Sequence, residues 1–397
     1  MSASWEHRTI AELCSRVTSG GTPSRSRSDY YGGSIPWVKT GELLDRVVTD
    51  TEEKLTDAGL KGSSAKLLPP GTVLMAMYGA TVGALGRLGR EATCNQASCA
   101  MVADSQTTDA RWLFYALLND RPRIVSRATG AAQQNLSAAT IKQFSYPAPS
   151  LPEQQAIAEV LGALDDKIAA NTALSASADS LLTTEFRAGL HRTEAHDKEL
   201  GAIANVVLGG TPSRARPDYW IDGTIPWLNS GAVNATRIVE PSEFITDQAL
   251  ANSAAKLMPS GTTLLAITGA TLGQIARLEM TASGNQSIVG VWSDDVDLNT
   301  WLYFAIQARL DDLLARATGA AQQHVSKGDV EQLAVPVPAQ VVLEEFSSVA
   351  TPLLEVAAIA ERENRTLASA RDALLPQLMS GKLRVRDAED RIVQAGV

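Results

Sequence analysis

The chain has 397 residues, of which 45% are hydrophobic and 20% charged, with a formal net charge of −9. That length exceeds one ordinary domain and that apolar fraction excludes a disordered chain, so two or three packed cores are expected. No apolar run reaches the roughly 18 residues that span a bilayer, and Met1–Cys14 carries neither a basic flank nor an apolar signal core, which predicts a cytoplasmic protein.

In chain order, residues 1–150 open with a Gly20-Gly21-Thr22-Pro23-Ser24-Arg25 turn, followed by Ile35-Pro36-Trp37 and Ala65-Lys66-Leu67. A β-like run, Thr72-Val73-Leu74-Met75-Ala76-Met77, leads into Gly79-Ala80-Thr81 and Gly83, then Asn95-Gln96. A helix is expected around Trp112–Leu118, then the stretch Ala128-Thr129-Gly130-Ala131-Ala132-Gln133-Gln134, and the prolines Pro147 and Pro149 force an extended exit. Residues 151–195 shift to Ala, Leu, Glu and Gln. Apolar positions at Ile157, Val160, Leu164, Leu174, Ala178 and Leu181 follow the alternating three- and four-residue steps of a coiled-coil seam.

Residues 196–338 then repeat the first segment. Gly209-Gly210-Thr211-Pro212-Ser213-Arg214 returns at an offset of 189; Ile225-Pro226-Trp227, Ala255-Lys256-Leu257, Gly269-Ala270-Thr271 and Asn285-Gln286 return at 190. A second β-like run at Thr262–Ile267, a helix near Trp301–Ile306, the stretch Ala317–Gln323 and the prolines Pro336 and Pro338 complete the copy. Two long copies denote a duplicated domain rather than a repeat array. Residues 339–390 form a second helical segment, with a seam at Phe346, Val349, Leu353, Val356, Ala360, Leu367, Ala370 and Leu374, where Asn364 aligns with Asn171 as a possible register-setting pair. The fold class is therefore α+β: two similar lobes of short strands and helices, separated by two long antiparallel helices of about 55–60 Å forming a coiled coil with internal pseudo-twofold symmetry.

Chemistry of its own is hard to find in this chain. Cys14, Cys94 and Cys99 lack Cys-x-x-Cys spacing and read as buried free thiols, and the four histidines do not cluster with acids, so no metal is expected. There is no Gly-x-x-x-x-Gly-Lys-Ser/Thr loop, no Asn-Pro-Pro-aromatic methyltransferase signature and no Gly-x-Ser-x-Gly elbow. A nuclease-like set of Asp29, Glu52 and Lys54 fails because the second copy has Ser242 and Phe244 at the positions matching Glu52 and Lys54.

The ordered set of Gly-Gly-Thr-Pro-Ser, Ile-Pro-Trp, Thr-Gly-Ala-Ala-Gln-Gln-Asn-Leu-Ser, Pro147–Gln155 before a long helix, and the closing Leu374–Leu383 resembles the specificity subunit of type I restriction-modification systems over nearly the whole chain. The resemblance implies two target-recognition domains, each reading one half of a split DNA sequence. Its helices would set the gap and dock two modification subunits that resemble adenine methyltransferases. It implies no catalysis and no cofactor here: S-adenosylmethionine, ATP and Mg belong to partner subunits, and ATP-dependent restriction subunits can join the complex. One departure is Gln340–Glu345 in place of Leu-Pro-Glu-Gln-Gln, with Pro352 inside the expected second helix, so that helix is expected to begin irregularly. The alternative is a two-lobed protein-interaction scaffold that does not read DNA, which the acidic balance favours because phosphate binding calls for clustered cations.

Candidate DNA contacts follow from comparing the copies. Thr22, Ser24, Arg25 and Arg27, with Thr211, Ser213, Arg214 and Arg216, either build a tight turn or approach phosphates and base edges. Gln133 and Gln134, with Gln322 and Gln323, either cap the following segment or bond adenine through their amides. Lys66 with Lys256, Arg87 with Arg277, and Arg127 with Arg316 are paired basic positions for phosphate or simply solvated surface. Because two half-sites need not share a sequence, positions that differ between copies are the candidate readers: Lys39 against Asn229, Tyr78 against Thr268, Ala84 against Gln274, and Asn135 against His324.

Overall fold

Alternation of short apolar runs with glycine and proline turns produces the same sheet twice in the computed structural model, which describes residues 5–128, 135–192, 194–318 and 323–394. The chain divides into two units, Met1–Ile168 with Thr366–Val397, and Ala169–Arg365. In the first unit a five-stranded sheet runs Cys14–Ser19, Ser98–Ala103, Val73–Ala76, Leu85–Leu88, Arg46–Val48. In the second it runs Asn205–Leu208, Ile288–Trp292, Thr263–Ala266, Ile275–Leu278, Arg237–Ile238, in the same order. Both sheets are antiparallel except for the same parallel edge pair. Each unit adds a smaller sheet built on the Ile-Pro-Trp strand, Tyr31–Val38 or Ile225–Leu228.

The central strands Val73–Ala76 and Thr263–Ala266 are buried throughout, which is why they read as unbroken apolar runs. Their alternate side chains face different layers. Val73 and Met75 pack with Met101, Trp112 and Leu113, whereas Leu74 and Ala76 pack with Val38, Leu88 and Cys94. The second unit repeats this with Leu265 on Trp301 and Leu302, and Leu264 and Ala266 on Leu228 and Leu278. The lobe helices Ala110–Asn119 and Val296–Ala308 are each started by an aspartate, Asp109 or Asp295, whose side chain accepts from free amides of the first turn. Each proline-bearing exit forms a two-stranded ribbon, Ser145–Ala148 on Glu6–Thr9 and Ala334–Val337 on His196–Glu199.

The helical segments are Leu151–Arg192 and Gln340–Met379, 42 and 40 residues. The second is continuous through Pro352 and starts at Gln340, so the irregular start expected from that proline does not occur. In the second unit Asn171 bonds Glu363 and Arg192 bonds Glu345, so the pair is antiparallel. Both Asn171 and Asn364 are buried, and Asn364 Nδ2 also approaches Thr172 Oγ1 at 3.4 Å.

The expected seam holds at Ile157, Val160, Leu164, Ala178, Phe346, Ala360, Leu367 and Leu374, which are buried. It fails at Leu174, Leu181, Val349 and Val356, which are 48, 45, 40 and 41% exposed, while the neighbouring Leu182, Ala350 and Ala357 are buried. At those levels each helix covers its lobe as well as its partner: Phe186 and Phe346 pack on Trp301 and Phe304 of the lobe helix. No described helix is long and apolar enough to cross a membrane.

Candidate nucleic-acid interface

Four of the motifs common to both copies meet at one interior knot. A Cβ on Gly20 would fall on the carbonyls of Cys94 and Asn95, and one on Gly21 would fall on Ser64 and the Ala65 amide; Gly209 and Gly210 meet Gly284, Asn285 and Ala254 in the same way. The Gly-Gly pair is thus required by backbone close approach. Trp37 Nε1 donates to Gly21 O at 3.0 Å and Trp227 Nε1 to Gly210 O at 3.2 Å. Thr22 and Thr211 donate to the side-chain carbonyls of Gln96 and Gln286. Four separated motifs therefore form one scaffold.

The arginines after the knot are already engaged. Arg25 lies over Trp37 and Tyr31 and pairs with Glu53; Arg214 lies over Trp220 and Trp227 and pairs with Glu243 through two contacts of 2.7 Å. Arg27 pairs with Asp29 over Tyr30, and Arg216 with Asp218 over Tyr219. The Arg25 and Arg214 guanidinium groups hold Glu53 and Glu243 below the usual carboxylate range. Ser24 and Ser213 are exposed beside these pairs.

The positions that differ between copies converge elsewhere, on one loop end of each sheet. Tyr78 forms a backbone bridge with Asn135, and Thr268 forms the matching bridge with His324. Ala84 N bonds Thr81 O and Gln274 N bonds Thr271 O, closing the loop that follows Tyr78 or Thr268. Asn229 begins the turn Ser230–Asn234, which packs against Gly269–Thr271 of that loop. In the first unit the turn after Lys39 leads to Asp45, whose amide bonds Leu85 O next to Ala84. Asn135, His324, Gln274 and Asn229 are exposed.

A profile described as the type I restriction modification DNA specificity domain matches residues 3–178 and 193–343. The chain belongs to this family. It is 24% identical over 414 residues to the type I restriction enzyme MjaIX specificity subunit of Methanocaldococcus jannaschii, covering 96% of this chain and 94% of that protein. It is 26% identical over 253 residues to the EcoR124I/EcoR124II specificity subunit of Escherichia coli, covering 59% of this chain and 61% of that one. The crystal structure of the type I restriction-modification S subunit from M. genitalium aligns over 94% of this chain and 96% of that one with a TM-score of 0.64 at 17% identity, which establishes a common fold.

Within this specificity-domain chain, the remaining candidate residues divide by location. Arg87 and Arg277 belong to the junction of lobe and long helix rather than to the loop end. Arg87 is half-buried near Arg111 and Asp166, and burial lowers its pKa; Arg277 pairs with Glu279 at 2.6 Å. Lys66 donates to Thr18 Oγ1, while Lys256 is exposed. Arg316 donates to the Asp329 carbonyl, and Arg127 is exposed. Gln323 is exposed, and Gln133, Gln134 and Gln322 lie outside the described residues.

Sequence reasoning missed the residues that seat each lobe. In the first unit Asp165 accepts from Tyr115 Oη at 2.6 Å and from Arg371 at 2.7 Å. In the second the nearly buried Arg237 pairs with Asp179. None of these sits in a shared motif, so no repeated pattern marked them. Burial pushes the thiols of Cys14, Cys94 and Cys99 up to about 12, which leaves them unreactive. Among the described residues no group of three His, Cys, Asp or Glu could hold a metal ion.

Proposed function

We propose that this chain is the DNA-sequence-reading subunit of a type I restriction-modification enzyme, with one half of a bipartite target read by residues 1–150 and the other by residues 196–338. The observation that carries this reading is the partition of each lobe: four shared motifs form the interior knot, and residues that differ gather at one loop end around the shared Gly-Ala-Thr turn. A duplicated reader of two unlike half-sites needs that division, because its scaffold must be kept while its reading surface diverges. Lys39, Tyr78, Ala84 and Asn135 would read one half, and Asn229, Thr268, Gln274 and His324 the other. The exposed Lys66, Lys256, Arg127 and Arg316 would serve phosphates.

The chain has no catalytic role in this reading. Two modification subunits, resembling adenine methyltransferases, bring S-adenosylmethionine, and restriction subunits bring ATP and Mg. The long helices, segments 151–195 and 339–390, set the half-site spacing. Their heptad-spaced exposed residues Leu174, Leu181, Val349 and Val356 offer apolar surface to the modification subunits. The enzyme works in the cytoplasm, where its DNA is. A scaffold that does not touch DNA leaves the divergent loop ends without a role.

Mapping methylated bases genome-wide, with and without this chain, tests the proposal. A bipartite methylated sequence that vanishes with the chain is expected, and a methylation pattern indifferent to its loss would refute it.

A further inference from the structure

Two of the differences between copies form a contact in each unit. In the first, Lys39 Nζ donates to Glu52 Oε2 at 2.6 Å and to Glu53 Oε1 at 3.1 Å. Residues 39 and 52 correspond to Asn229 and Ser242, and in the second unit the Asn229 backbone amide donates to Ser242 Oγ at 3.2 Å, which leaves the Asn229 side-chain amide outside that bond. A charged side-chain pair in one lobe is thus replaced by two neutral residues that still adjoin in the other, both members changing together. The surroundings do not change: Glu53 and Glu243 hold Arg25 and Arg214, and Trp37 and Trp227 hold the glycine carbonyls.

The backbone frame is also kept, by different means. Glu42 accepts from the amides of Lys39 and Glu52 in the first unit, whereas Ala232 stands at its place and Ser242 itself takes the Asn229 amide in the second. The Glu52 side chain is 77% exposed, and Asn229 and Ser242 are exposed. The pair therefore varies in chemistry at a fixed, solvent-facing place, one short turn from the loop end where the other divergent positions meet.

We propose that residues 39 and 52, and their counterparts 229 and 242, are an exchangeable base-pair-reading element. This rests on the DNA-reading function proposed above. The Lys39 ammonium donates to the O6 and N7 acceptors of guanine while the Glu52 carboxylate accepts from the cytosine amino group, so the first lobe selects a G·C pair. The Asn229 side-chain amide offers the donor and acceptor that adenine requires, with Ser242 beside it, so the second lobe selects an A·T pair at the equivalent place.

The test uses the full chain in complex with its modification subunits. Lys39→Asn with Glu52→Ser installs the second lobe's pair in the first lobe while leaving Glu42 to hold the backbone; Asn229→Lys with Ser242→Glu is the reciprocal exchange. The modified sequence is read for each. The first exchange is expected to replace one required G·C pair in one half-site by A·T, with a preference of about 10- to 100-fold, and to leave the other half unchanged. The reciprocal exchange is expected to do the opposite in the other half. If the wild-type complex modifies a bipartite sequence but the exchanges leave it unaltered, abolish modification in both cases, or change it in any other way, the pair is not a reader. If the wild-type complex modifies no bipartite sequence, the DNA-reading function itself is wrong and this proposal falls with it.

Discussion

Gly20 and Gly209 sit against carbonyl oxygens of the neighbouring strand, so a methyl group there has nowhere to go. Gly20→Ala is expected to destabilise the first unit by about 1–3 kcal/mol, read by urea unfolding. The same knot carries a pH dependence. Glu53, Asp29, Glu243 and Asp218 all titrate below their ordinary range because an arginine bonds each of them. A depressed folded pKa means the pairs contribute above the unfolded value of about 4 and lose that contribution as pH falls through the folded value. Stability should be insensitive to these groups between pH 5 and 8, on the order of ordinary assay conditions, and decline below about 4. Replacing Glu53 and Glu243 by glutamine should flatten that acid limb in thermal melts at stepped pH; an unchanged limb would assign it to other carboxylates. All four arginines were legible as a repeated feature, but the pairing of Arg25 with Glu53, 28 residues away, and of Arg214 with Glu243, 29 away, was not.

The long helices illustrate a reading that held at most seam positions and failed at four. Heptad spacing puts Ile157, Val160, Leu164, Ala178, Phe346, Ala360, Leu367 and Leu374 inside, as found, yet at Leu174, Leu181, Val349 and Val356 burial against the lobe turns a neighbouring residue inward instead. Asn171 and Asn364 are both buried, where a polar group is tolerated only if its partner is at the right level. Replacing both by leucine is expected to raise the melting temperature and to lower the yield of a disulfide engineered between positions 165 and 371, because slipped pairings are no longer penalised. Pro352 deprives the Ser348 carbonyl of a helical donor within Gln340–Met379. Pro352→Ala should therefore stabilise the chain by about 2 kcal/mol in the same unfolding assay, a gain the proline's benefit to unfolded-state entropy only partly offsets.

For the chain as a whole, the net charge is −9, and Arg25, Arg27, Arg214 and Arg216 are already paired with carboxylates, which weakens their hold on phosphate. The isolated chain should bind DNA weakly and with a shallow salt slope, and the slope should steepen in the proposed complex with modification subunits, whose cations would add to the counterion release. Fluorescence anisotropy at several salt concentrations measures both; a steep slope for the chain alone would place the phosphate grip here instead. Exchange of residues 1–150 for those of another specificity subunit should alter one half of the methylated sequence only, as sequencing of modified DNA would report.

The duplication, the β-runs, the lobe helices and the two long helices could all be read from the sequence, because periodicity, turn chemistry and self-similarity are local or need only comparison of the chain with itself. What the tertiary structure alone decided was which residues meet. Motifs up to 75 residues apart close into one knot, as between Thr22 and Gln96 or Thr211 and Gln286, and divergent positions gather at one loop end. Such contacts depend on strand order and on the layer each side chain faces. Those are settled by packing between elements, which no single segment of sequence encodes.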